Sequence, residues 1–121
     1  MVRPTFIVAE PAPPEGLSSR KLVIETAYYN VLTVHSASEL MEIIDIFPKA
    51  DAVIIHVALP HLNMSEATRK VREKMPNSLI IALAQTSSAV HNEVDELLSS
   101  HEPQALLALL EERFGRPEEA A

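Results

Sequence analysis

This sequence predicts an α/β domain in which strands and helices alternate five times around one parallel sheet. Short, nearly continuous apolar runs recur at 5–9, 31–35, 51–56 and 78–84. Runs of this kind read as strands buried on both faces, which is the signature of a parallel sheet. The segments between them carry apolar residues at helical spacing. The 121 residues, 47% hydrophobic and 22% charged, suffice for one domain with one sizeable core. Alternation of strand and helix then implies helices on both sheet faces, joined by right-handed crossovers.

Each element has its own local reason. Thr5-Phe6-Ile7-Val8-Ala9 is a first strand, ended by Glu10 and the proline-rich turn Pro11-Ala12-Pro13-Pro14. Leu17, Leu22, Val23, Thr26 and Ala27 suit an amphipathic helix over 15–28, with Ser18 or Ser19 as its cap. Asn30 marks a turn before a second strand at 31–35. Ser36 or Ser38 caps the helix carried by Leu40, Met41, Ile43, Ile44 and Phe47, which must stop before Pro48. The central strand, 51–56, brings His56 to its end and passes into a loop containing Pro60. Asn63 or Ser65 begins a third helix that Pro76-Asn77 closes, and 78–84 is the fourth strand.

Residues 85–101 fit two readings, because Val90, Val94, Leu97 and Leu98 have helical spacing while 96–99 also suits a short strand. A helical turn near 88–92 followed by a strand near 94–98 is the expectation here. Pro103 then opens a last helix, Leu106, Leu107, Leu109 and Leu110 form its stripe, and Gly115 stops it. One domain over 1–115 and a frayed tail over 116–121 follow.

Composition narrows the function classes. A formal charge of −7 argues against nucleic-acid binding by the whole domain. With no cysteine there is no disulfide, thiolate metal site or cysteine nucleophile. No run approaches the ~20 apolar residues that span a bilayer, so a cytoplasmic protein without membrane contact is expected. Only Gly16 and Gly115 are glycines, which leaves no glycine-rich phosphate loop, and no serine sits in a nucleophile elbow. No enzymatic activity and no cofactor are expected.

In open α/β sheets, ligand chemistry lies beyond the carboxyl ends of the strands. His56 stands at such an end, with Glu10, His35 and His101 at the same edge and His61 in the loop after the central strand; His91 lies in the ambiguous segment. Imidazole and carboxylate suit zinc and other transition metals, and imidazoles titrate near neutrality. Glu10, His56, His61 and His101 are therefore the candidate ligands of a metal- or pH-responsive edge, although no local ligand spacing supports them and no metal is expected. Arg69, Lys70, Arg72 and Lys74 read as a solvated helix face interspersed with Glu66 and Glu73, or else as a docking patch for an acidic partner.

The order, spacing and punctuation over residues 4–115 resemble the receiver domains of two-component response regulators. A receiver's first strand ends in an acidic pair, where this chain has Ala9-Glu10. Its middle strand ends in the phospho-accepting aspartate with a proline four residues later, where this chain has His56 and Pro60. Asn63 matches the family's acidic or amide position, but Met64 replaces the glycine that follows. Ala84-Gln85 stands at the switch Thr/Ser position, and Ser99 or Ser100 stands at the lysine. The resemblance implies a three-layer, flavodoxin-like domain with strand order 2-1-3-4-5. The short gap from Ala84 to Ser99 implies a fourth helix that is shortened or lost.

Aspartyl phosphorylation needs a carboxylate nucleophile, acidic residues holding a divalent cation, and a lysine for the product. The departures at Ala9, His56, Ala84 and Ser99 or Ser100 therefore imply a degenerate receiver without receiver chemistry. Its expected role is signal transduction through a protein partner or a homodimer. Val90, Val94, Leu106 or Leu110 would supply apolar surface if the fourth helix is short. The alternatives are a metal- or pH-responsive sensor and atypical phosphotransfer through His56.

Overall fold

A computed structural model describes residues 3–12, 24, 29–84, 94–100 and 102–115. Its elements are β1 (Thr5–Ala9), β2 (Asn30–Val34), α1 (Ala37–Ile46), β3 (Ala52–His56), α2 (Met64–Lys74), β4 (Leu79–Ala84), β5 (Glu96–Ser99) and α3 (Pro103–Phe114). The five strands form one parallel sheet in the order β2-β1-β3-β4-β5. Apart from Ile24, which is helical and buried, the helix expected over 15–28 falls outside the described residues, as do the turn near 88–92, the shortened fourth helix and the tail 116–121. No helix among the described residues is long and apolar enough to cross a membrane.

The three layers follow from strand alternation. Ile7, Ala9, Val53, Ile55 and Ile80 point to one face, where Leu40 and Ile44 of α1 and Ala67 and Val71 of α2 cover them. Phe6, Val8, Ala52, Ile54, Ile81 and Leu83 point to the other, covered by Ile24 and by Leu106 and Leu110 of α3. Every residue of β3 is buried, because β3 is the central strand and both its faces are packed. Three of the aromatics meet on the second face, where Phe6 lies 4.9 Å from Tyr29 and 5.2 Å from Phe114 between ring centroids, while Phe47 packs against the first.

Helix ends obey the capping chemistry written in the chain. Of the two serines expected to cap α1, Ser36 does so, its Oγ accepting from Glu39 N–H at 3.2 Å. Asn63 caps α2, with Oδ1 accepting from Glu66 N–H at 3.1 Å. Pro103 is in the first turn of α3, and Gly115 ends it at φ 72, a conformation that favours glycine. Met64, which stands where receivers carry glycine, simply opens α2, and no positive φ is recorded there.

Several boundaries move. The second strand starts at Asn30, whose N–H bonds to Pro4 O at 3.0 Å, and releases His35, whose N–H donates to Glu39 Oε1 at 3.3 Å. Asp51 precedes β3 instead of opening it, and its carboxylate accepts Thr5 N–H at 2.8 Å. Ser78 likewise precedes β4. The fifth strand is 96–99 rather than 94–98, and Asp95 is the reason: its N–H donates to Ile80 O at 2.9 Å and its Oδ2 accepts from Ile80 N–H at 2.8 Å. That two-way clamp sets the register in which Ala84 faces Ser99.

Candidate functional site

The strands deliver Ala9, Glu10, His56, Ala84, Ser99 and Ser100 to one edge of the sheet. The ladder runs one step past the strands there, with Val57 N–H bonded to Leu83 O and Ser100 N–H to Ala84 O, both at 2.9 Å. Register places Ala9 beside Ile55, so Glu10 and His56 follow on adjacent strands and share a face. The edge is largely dry. Glu10 is 1% exposed, His56 7% and Ser100 9%.

The imidazole of His56 is held by its own loop. Its Nδ1 accepts the Ala58 N–H at 3.0 Å, which requires a lone pair there and puts the proton of the neutral ring on Nε2. His56 O also accepts Leu59 N–H at 3.0 Å, so the turn closes directly on the strand end. His35 shows the opposite tautomer. Its Nδ1 lies 3.0 Å from the carbonyl oxygen of Glu10 and must donate to it. His61 is exposed, at φ 60, and belongs to the rim of a separate cavity between α1 and α2. His91 and His101 fall outside the described residues. Among the described residues, no three His, Cys, Asp or Glu side chains gather as a metal site.

The basic stretch of α2 is largely the solvated face that the sequence suggests, with Arg69, Arg72 and Lys74 exposed beside Glu66 and Glu73, while Lys70 is half-buried. Lys70 Nζ donates to Asp45 Oδ2 at 2.7 Å and to Met41 O at 2.8 Å, and Lys74 lies 3.8 Å from Asp45. The Lys70 hydrogen bond holds the Asp45 carboxyl below its usual value. Arg72 pairs with Asp95 at 3.0 Å. Three of the four cations thus join α2 to neighbouring segments. The physical reason is helical periodicity: positions 70 and 74 fall on the stripe that faces α1.

Leu106 and Leu110 are fully buried and supply no apolar surface, contrary to one expectation, while Val94 is half-buried against the core. Asp95 escaped the sequence reading. Its one signal was an Asp-Glu pair ahead of the two leucines at 97 and 98.

No protein-family model matches this sequence, and no curated protein matches it. Solved structures do. A response-regulator receiver domain from Methylobacillus flagellatus superimposes with TM-score 0.78 at 17% identity, over 92% of this chain and 98% of that one. A receiver domain protein from Methanospirillum hungatei JF-1 gives 0.77 at 17% identity, over 93% and 94%. The receiver domain of a sensor histidine kinase from Pseudomonas aeruginosa PAO1, solved with magnesium coordinated in its active-site cleft, gives 0.71 at 20% identity, over 92% and 97%.

The fold is that of a response-regulator receiver domain. Strand order, crossovers and the position of β3 at the centre all agree with it, and the likeness extends over nearly the full length of each receiver domain compared. On that receiver fold, the carboxyl edge holds an imidazole at the end of β3, a methyl group and one buried carboxylate after β1, a methyl group at the end of β4 and hydroxyls at the end of β5.

Proposed function

We propose that this chain is a receiver-like module of signal transduction that works through protein–protein contact rather than aspartyl phosphorylation. The observation that carries the reading is His56. It sits at the carboxyl end of β3, 7% exposed, with Nδ1 occupied by the Ala58 N–H. An imidazole cannot form an acyl phosphate, and this nitrogen would have to surrender a hydrogen bond before it attacked phosphorus.

The neighbouring residues support the same conclusion. A hard divalent cation takes several oxygen ligands, usually one or two of them carboxylates beside the phosphates. Ala9 contributes no oxygen from its side chain, and Glu10 is the one carboxylate at the end of β1. These residues do not fit a receiver's magnesium site. Ala84 has no hydroxyl to follow a phosphoryl group, and Ser99 and Ser100 have no ammonium to pair with one. Regulation then comes from contact with another signalling protein or with a second copy of this chain, and neither nucleic acid nor membrane is part of it.

Incubation with acetyl phosphate and magnesium, followed by intact-mass measurement, tests this directly. The expected result is an unchanged mass. A phosphoryl adduct on His56 or any other residue of the edge overturns the reading. Light scattering across a concentration series then tests self-association: a rising mass identifies a second copy, and a constant monomer rules it out.

A further inference from the structure

We propose that the cavity between α1 and the start of α2 binds a small organic ammonium ion with a compact apolar body. The cavity is about 270 Å3, and all its lining residues are described. Drug-sized sites begin near ~300 Å3, so the ligand is smaller than that. Leu40, Met41, Leu62 and Ala67 make an apolar floor on an otherwise charged helical face. Glu66 is the one charged side chain in the lining.

Charge decides the ligand. Glu66 is exposed on the first turn of α2, and only its backbone N–H is used by the Asn63 cap. Of the basic groups further along the same helix, Lys70 is held by Asp45 at 2.7 Å and Lys74 lies 3.8 Å from it, and neither lines the cavity. An apolar body over the floor with its ammonium at Glu66 therefore meets attraction, and no Lys or Arg lines the cavity to oppose it. An anion of the same shape meets repulsion from Glu66, the one carboxylate in the lining.

The remaining wall is preset. Pro60 O accepts the Ala37 N–H at 3.2 Å, and Leu62 N–H bonds to Leu59 O at 3.2 Å. Between these bonds the loop holds His61 at φ 60, which costs a non-glycine residue about 1 kcal/mol, and so sets it at the rim. The cavity adjoins the β3 loop that closes on His56, but binding there does not depend on what the receiver edge does.

Titration of the isotopically labelled full chain with phenethylammonium, 2-phenylethanol and phenylacetate, followed by amide NMR shifts, tests the proposal. The expected order is ammonium, then alcohol, then carboxylate, with about tenfold between the first and last, and shifts confined to 37–41 and 61–67. Glu66→Gln, at an exposed position, should weaken the ammonium about two- to fivefold, the range of one exposed ion pair, and leave the alcohol unchanged. Ser38→Leu, at the mouth, should weaken all three probes. Absence of shifts, shifts scattered over the surface, equal affinity for ammonium and carboxylate, or a Glu66→Gln variant indistinguishable from wild type would each overturn it.

Discussion

Replacing His56 by aspartate restores the residue type that receivers carry there, and the structure sets what this costs. The new carboxylate would stand at a position 7% exposed, one strand away from Glu10, which is 1% exposed. Adjacent strands lie about 5 Å apart. Two unit charges ~5–6 Å apart at an effective dielectric near 20 repel by about 3 kcal/mol, which is the upper bound on this loss because Glu10 is itself engaged. The Ala58 N–H keeps an acceptor, because an aspartate bonds readily to the backbone two residues on. The loss is therefore electrostatic rather than steric. His56→Asn, which keeps that acceptor without the charge, should lose less than about 1 kcal/mol.

Urea unfolding at pH 7.5 and at pH 5 measures both variants. The repulsion raises the pKa of the new carboxyl in the folded state, so the penalty is full above that value and fades as pH falls through it. Millimolar magnesium should recover part of the loss in His56→Asp, since two neighbouring carboxylates are what a hard cation takes, and do nothing for wild type. Acetyl phosphate should still leave the variant's mass unchanged, with Ala9, Ala84, Ser99 and Ser100 as they are. A variant as stable as wild type at pH 7.5 without magnesium would refute the placement of Glu10 and His56 on one dry face.

Three further outcomes are expected from denaturant unfolding. Asp95→Ala should cost about 1.5–3 kcal/mol, because the N–H of fully buried Ile80 loses its side-chain acceptor, whereas Arg72→Ala should cost less than about 1 kcal/mol. Burial acts to raise the Asp95 carboxyl, but the bonds from Arg72 and Ile80 N–H outweigh it and hold the pKa below 3.8, so this contribution is present above about pH 4 and lost as pH falls through the lowered value. Thr33→Val and Ser78→Ala should each stabilise the chain by about 1 kcal/mol, since both hydroxyls are buried with no partner among the described residues, and a loss on either substitution would show that they have one. His61→Gly should stay within about 0.5 kcal/mol of wild type while His61→Val loses about 1–2 kcal/mol, and equal effects would deny the φ of 60.

Much of the fold was legible in the chain because its signals are local. Thr5–Ala9, Leu79–Ala84 and the helix from Pro103 to Gly115 are apolar runs or stripes bounded by prolines, caps and a glycine. The edge residues were legible for the same reason: a residue at the end of a buried parallel strand goes to the carboxyl edge. The places where the reading slipped involve long-range partners. Neither the two-residue displacement of β5 nor the engagement of Lys70 and Lys74 by Asp45 can be read from a window of neighbours, because each depends on a residue 15 to 29 positions away.

By itself the sequence determined the number and kind of most elements and the absence of a carboxylate at 56, since periodicity, caps and residue identity are properties of neighbours along the chain. Tertiary structure decided which groups on that edge are dry, which nitrogen of His56 is engaged, how Ala84 faces Ser99, and where an apolar cavity opens beside Glu66. Those are facts of distance between strands and helices. They arise when the sheet packs, from desolvation and hydrogen bonds between residues that the sequence sets far apart.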